Sequence, residues 1–97
     1  HATSGDRSLS PGAYAGGQAL FDTADPTRLL ARTAEPFFRP ELAFEKTGQY
    51  PAGTTFLEAL VSFKGRWLLY YGCADTCISM AEANLSQLIQ FIKSHSF

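Results

Sequence analysis

The sequence predicts an all-β chain of antiparallel hairpins and meanders that ends in a single α-helix. Three observations carry this. Two runs of aromatic and aliphatic residues, Phe56 to Phe63 and Arg66 to Cys73, flank the dipeptide Lys64-Gly65. Gly accepts a positive φ at little cost, so this is a two-residue hairpin reversal. Between 35 and 53, Pro36, Pro40 and Pro51 exclude a helix interior or a central strand. A helical repeat of apolar residues is clear only at the end, at Leu85, Leu88, Ile89 and Ile92.

The elements follow in order along one 97-residue domain. Residues 1–12 are polar, rich in Ser and Gly, and read as a loop. Residues 13–34 hold outer strands. Ala15-Gly16-Gly17-Gln18-Ala19-Leu20-Phe21 has the small residues of a strand lying close to another backbone. Asp25-Pro26-Thr27 forms a turn, because Pro fixes φ and Asp bonds the backbone ahead of it. Arg28 to Arg32 then returns as a strand onto Gln18 to Phe21, with a short helical turn as the competing assignment. Residues 35–53 form an extended connector that tucks Phe37, Phe38 and Phe44 against the sheet.

Residues 54–83 form a three-stranded meander, with Cys77 to Ala81 as its third strand. Strict alternation puts Phe56, Glu58, Leu60 and Ser62 on one face and Leu57, Ala59, Val61 and Phe63 on the other. Both faces are largely apolar, so the sheet needs cover on both sides. Residues 84–95 form the helix, with Asn84 as N-cap and Gln87 three residues on. Its stripe is the pattern of docking on a sheet.

Composition narrows the function classes. Net charge is −1 and the apolar fraction 45%, of which 13% of the chain is aromatic. This balance gives no reason to expect a nucleic acid or a membrane surface as partner. No apolar run reaches the ~20 residues that a membrane helix needs. The sequence opens His1-Ala2-Thr3 with neither a start methionine nor a signal-peptide pattern, so it reads as a cut-out or processed piece. Localisation leans to the cytoplasm. Cys73 and Cys77, the only cysteines, lack the partners of a zinc site and read as two reduced, partly buried thiols.

Several segments together carry a family resemblance. Gly17-Gln18-Ala19-Leu20-Phe21-Asp22, Asp25-Pro26-Thr27-Arg28-Leu29-Leu30-Ala31-Arg32-Thr33, Glu35-Pro36-Phe37, Pro40-Glu41, Glu45 to Tyr50 and Phe56 to Asp75 occur in that order. They resemble the later part of glycoside hydrolase family 130, the β-mannoside phosphorylases and related β-mannosidases. The resemblance implies a five-bladed β-propeller, of which about one and a half to two blades would be present. It also implies inverting cleavage of a β-mannosidic bond, with one Asp as general acid and phosphate or water attacking from the opposite face. That Asp lies in an earlier blade. The present residues alone are therefore expected to be inactive. No cofactor is implied; inorganic phosphate is the co-substrate of a phosphorylase. Two departures stand out: Ala59 where Gly commonly follows the Glu, and Cys73 at a variable position.

Three positions carry candidate roles under this resemblance. Asp75, in Tyr70-Tyr71-Gly72-Cys73-Ala74-Asp75, matches a late Asp that binds the hydroxyls of the mannosyl unit. Its plainer role is to cap the turn at the Thr76 or Cys77 amide. Glu58 matches an acid facing the central cavity, against the plainer reading of a salt bridge to Arg66 or Lys64. His1 stands where a phosphate-binding His occurs in phosphorylases. Trp67 and Tyr70 are able to stack on a sugar ring, though aromatics of a hairpin more often serve the core.

Two function classes follow. In one, the chain is the C-terminal part of a mannoside phosphorylase or hydrolase, contributing sugar contacts through Asp75 and Glu58. In the other, it is a detached, non-catalytic β-module that self-associates, binding glycans weakly at most. Either way the partners are a β-mannoside or related oligosaccharide, and the missing N-terminal blades or another copy of the chain.

Overall fold

The computed structural model describes Ala2, Thr3, residues 7–84 and Ser86. Most of the helix expected over 84–95 lies outside the described residues, as does His1.

Among the described residues, seven antiparallel strands form three sheets. β1 (Ala2–Thr3) pairs with β2 (Ala15–Gly16), β3 (Ala19–Phe21) with β4 (Leu29–Arg32), and β5 (Thr55–Phe63), β6 (Arg66–Cys73) and β7 (Cys77–Ala83) form a meander. A 3₁₀ turn, Ala43–Glu45, interrupts the connector between β4 and β5. Pairing begins earlier than expected: β1 lies within the segment read as a loop. Its two residues carry no strand signature of their own and are ordered by β2.

The turn chemistry explains the reversals. At the β5–β6 hairpin Lys64 (φ 49°) and Gly65 (φ 76°) both take positive φ, the turn whose twist matches that of paired strands. Between β3 and β4, Asp25 Oδ1 accepts the Thr27 amide (3.1 Å) and the Thr27 hydroxyl (2.6 Å). The Thr27 hydroxyl, then its amide, hold the Asp25 carboxyl below the usual carboxylate range. Arg28 N donates to Asp25 O (3.0 Å), so the segment after Pro26 turns back as a strand rather than a helical turn.

The register of β5 corrects the expected faces. Leu57 opposes Tyr71, but Ala59 opposes Tyr70, so Glu58 is the extra residue of a β-bulge. Alternation resets there. Leu57, Leu60 and Ser62 share a face with Trp67, Leu69 and Tyr71, while Phe56, Ala59, Val61 and Phe63 share the other with Leu68 and Tyr70.

The core is small and lies where β2 meets the start of β5. Tyr14 and Thr54 form a parallel bridge, and Gly16 bridges Phe38. The Leu57 side chain rests on Gly16, leaving no room for a β-carbon. Ala13, Ala15, Thr55, Tyr71, Cys73 and Ala74 are buried around this join. Phe38 meets Tyr71 edge-on, ring centroids 4.7 Å apart. Phe44, expected to tuck inward, is 41% exposed, because the 3₁₀ turn directs Glu45 inward instead. The second face of the meander is open: Ile78 is 78% exposed and Phe63 56%, with Phe56, Val61, Tyr70 and Met80 also exposed.

Candidate functional site

Asp75 stands at the tip of the β6–β7 connection, exposed to solvent. Ala74 (φ 48°) and Asp75 (φ 56°) both adopt left-handed backbone, and Thr76 N closes the turn onto Cys73 O at 2.9 Å. Asp tolerates this conformation, but for Ala it costs on the order of 1 kcal/mol. Fastening from both sides holds it. Ala74 N donates to Thr54 O (3.1 Å), while Ala74 O accepts from Tyr50 N (3.4 Å) and from the Thr76 hydroxyl (3.1 Å). Gly48 passes so close that a side chain there would strike Thr76 Oγ1 and Ala74 O.

The plainer role for Asp75 is absent: among the described residues its carboxylate has no hydrogen-bond or ion-pair partner, and the Thr76 amide goes to Cys73. The same holds for Glu58, exposed at its bulge. Arg66, its candidate partner, instead pairs with Glu82 across β6 and β7 (3.0 Å), and Lys64 lies over the Phe63 ring. Both carboxylates belong to the same half of the meander. Cys73, two residues before Asp75, opposes Thr55, and Glu58 lies three residues further along β5, about 10 Å of strand. Of the aromatic candidates, Trp67 is half-buried and Tyr70 exposed, on opposite faces.

Beneath the turn lies a buried group to which the sequence reading gave no role. Glu45 is 2% exposed. Its Oε2 accepts the amides of Glu41 (2.7 Å) and Leu42 (2.8 Å), and its Oε1 accepts the Tyr71 hydroxyl (2.8 Å). The Leu42 contact is the reach-back of a Glu at the third position of a helical turn. A buried carboxylate is tolerable only when its lone pairs are met in this way. Burial, opposed by a hydrogen bond from Ser79 and reinforced by Glu45, pushes the Tyr71 phenol up to about 12, so it remains a donor. The one signal in the sequence was a Tyr in an apolar strand, whose hydroxyl needs a partner.

The thiols diverge. Both are free, but Cys73 is buried and Cys77, expected to be partly buried, is exposed. Burial, then the neighbouring Cys77, pushes the Cys73 thiol up and leaves it unreactive at neutral pH. Among the described residues no group of three or more His, Cys, Asp or Glu is arranged to hold a metal ion. None of their helices is long and apolar enough to cross a membrane.

Comparison with known proteins decides the family. The glycoside hydrolase family 130 profile, described as beta-1,4-mannooligosaccharide phosphorylase, matches residues 4–94. The chain belongs to glycoside hydrolase family 130. A beta-1,4-mannooligosaccharide phosphorylase of Ruminococcus albus is 34% identical over 84 residues, 86% of this chain and 25% of that protein. A beta-1,2-mannobiose phosphorylase of Thermoanaerobacter is 40% identical over 68 residues, covering 70% of this chain and 22% of its own length. Among solved structures, one reported for family 130 hydrolases that target β-1,2 mannosidic linkages in Candida mannan superposes with a TM-score of 0.77 at 54% identity. It covers 84% of this chain and 23% of that one. The Listeria innocua beta-1,2-mannobiose phosphorylase gives 0.77 at 29% identity, with 84% and 23% covered. The chain thus spans about a quarter of the length of the relatives it matches.

Proposed function

We propose that these residues form the substrate-contacting later part of a family 130 enzyme that cleaves β-mannosides, with Asp75 as the principal sugar ligand and Glu58 as a second. The observation that carries the reading is the Asp75 turn. An exposed carboxylate with no partner among the described residues is held on a backbone fastened at both Ala74 groups. A carboxylate so placed accepts two hydroxyl hydrogen bonds from a pyranose ring, fixing its orientation. The general acid would come from elsewhere in the enzyme, as would the blades that cover the open face of β5–β7 in a five-bladed propeller.

Hydrolysis is the favoured reaction. With 84% of the chain covered in each case, identity is 54% to the structure reported for hydrolases and 29% to the Listeria phosphorylase. Phosphorolysis, with His1 among the phosphate contacts, is the second reading, favoured by the curated relatives, which are phosphorylases.

The test is product analysis with the longest open reading frame that contains these residues, given β-1,2- or β-1,4-mannobiose with and without phosphate. Free mannose in both conditions supports hydrolysis, and mannose 1-phosphate formed only with phosphate supports the second reading. A frame too short for further blades, whose product self-associates and releases neither sugar, would favour the detached module.

A further inference from the structure

We infer that Glu45 is a positioning residue for Asp75, acting through Tyr71 and the Thr54–Ala74 hydrogen bond. The inference rests on the reading of Asp75 as a sugar ligand. The two residues lie 30 positions apart, yet two short routes join them. In the first, Glu45 Oε1 accepts the Tyr71 hydroxyl at 2.8 Å, and Tyr71 belongs to the strand that runs through Cys73 into the turn. In the second, Thr54 N donates to Glu45 O (2.8 Å), and Thr54 O accepts Ala74 N (3.1 Å), the residue directly before Asp75.

The carboxylate is the piece that makes the arrangement rigid. Its Oε2 gathers the Glu41 and Leu42 amides and so closes the turn from which Lys46 to Gly53 set out. That segment supplies Gly48, packed against Thr76 and Ala74 O, and Tyr50, whose amide donates to Ala74 O. Among the described residues no bond holds the Asp75 carboxylate, so its aim is set by the left-handed backbone beneath it. That backbone is of a kind that persists only where its surroundings over-determine it. Glu45 is buried and does not touch the sugar; loosening it moves the residue that would.

The experiment is a double-mutant cycle on the active enzyme that contains this chain, with Glu45→Gln, Asp75→Asn and their combination, reading kcat/KM on β-mannobiose. Misplacing a substrate contact costs up to about 100-fold, so Glu45→Gln should lower kcat/KM by roughly 10- to 100-fold. In the Asp75→Asn background it should then cost less than about 2-fold, because the residue it positions is already disabled. Equal losses in both backgrounds would mean Glu45 is merely structural and would overturn the inference. If Asp75→Asn itself leaves kcat/KM unchanged, the reading of Asp75 fails instead, and the two failures are told apart. Should Glu45→Gln not fold, Tyr71→Phe removes the same link with less disturbance and is read by the same cycle.

Discussion

Removing one oxygen atom, by Tyr71→Phe, tests the buried Glu45–Tyr71 pair. Tyr71 is 3% exposed, and its hydroxyl supplies the one donor to Glu45 Oε1 among the described residues. Loss of a hydrogen bond to a buried charged group costs about 1.5–3 kcal/mol, so the variant should be less stable by about 2 kcal/mol near pH 8. The pH dependence makes the prediction specific. The phenol is raised from 10.0 to about 12 in the folded state, so the folded protein holds this proton more tightly than the unfolded chain. The contribution is complete below pH 10 and is lost as the pH rises towards 12. Phenylalanine has nothing to titrate. The stability gap between wild type and variant should therefore shrink by about 1.4 kcal/mol, from about 2 kcal/mol at pH 8 to roughly a third of that at pH 11. Urea unfolding of both proteins across that range, monitored by far-UV circular dichroism, reads it. A gap that is absent at pH 8, or unchanged at pH 11, would refute the pairing.

Other outcomes follow from the same packing. Gly16→Ala places a methyl group against Leu57 and should destabilise the protein by about 1–3 kcal/mol in urea unfolding; Gly16→Ala with Leu57→Ala should recover part of that loss. Iodoacetamide at pH 7.5 should modify Cys77 and spare Cys73 in the native protein, with both labelled after denaturation, as read by peptide mass spectrometry. Ile78→Lys, on the open face of β5–β7, should cost several kcal/mol in the longer enzyme, where neighbouring blades are proposed to cover it; a change within about 0.5 kcal/mol would mean that the face is solvent-exposed there too.

Local chemistry made much of the fold legible. Lys64-Gly65 is a turn because two positive φ values are needed and Gly gives one without strain, and Asp25-Pro26-Thr27 carries its own bonds. What alternation could not convey was the bulge. A strict period of two forces Glu58 onto a face with Leu60, whereas the chain leaves Glu58 unpaired and shifts every later residue. The mid-strand charge was the trace of that break. Asp75 was legible as a candidate because it follows the end of a strand. Its support was not, since Glu45, Gly48 and Thr54 reach it only through tertiary contacts that no spacing encodes. β1 was missed for the same reason: a two-residue strand exists only because β2 lies beside it.

The most direct measurement is a crystal structure of the longer enzyme containing this chain, with its general acid Asp replaced by Asn so that substrate persists, soaked with β-1,2-mannobiose. The Asp75 carboxylate should lie within hydrogen-bond distance, about 2.5–3.0 Å, of mannosyl hydroxyl oxygens, with the Ala74–Asp75 backbone unmoved. A disaccharide bound with Asp75 still facing only solvent would contradict the reading of Asp75 as a sugar ligand.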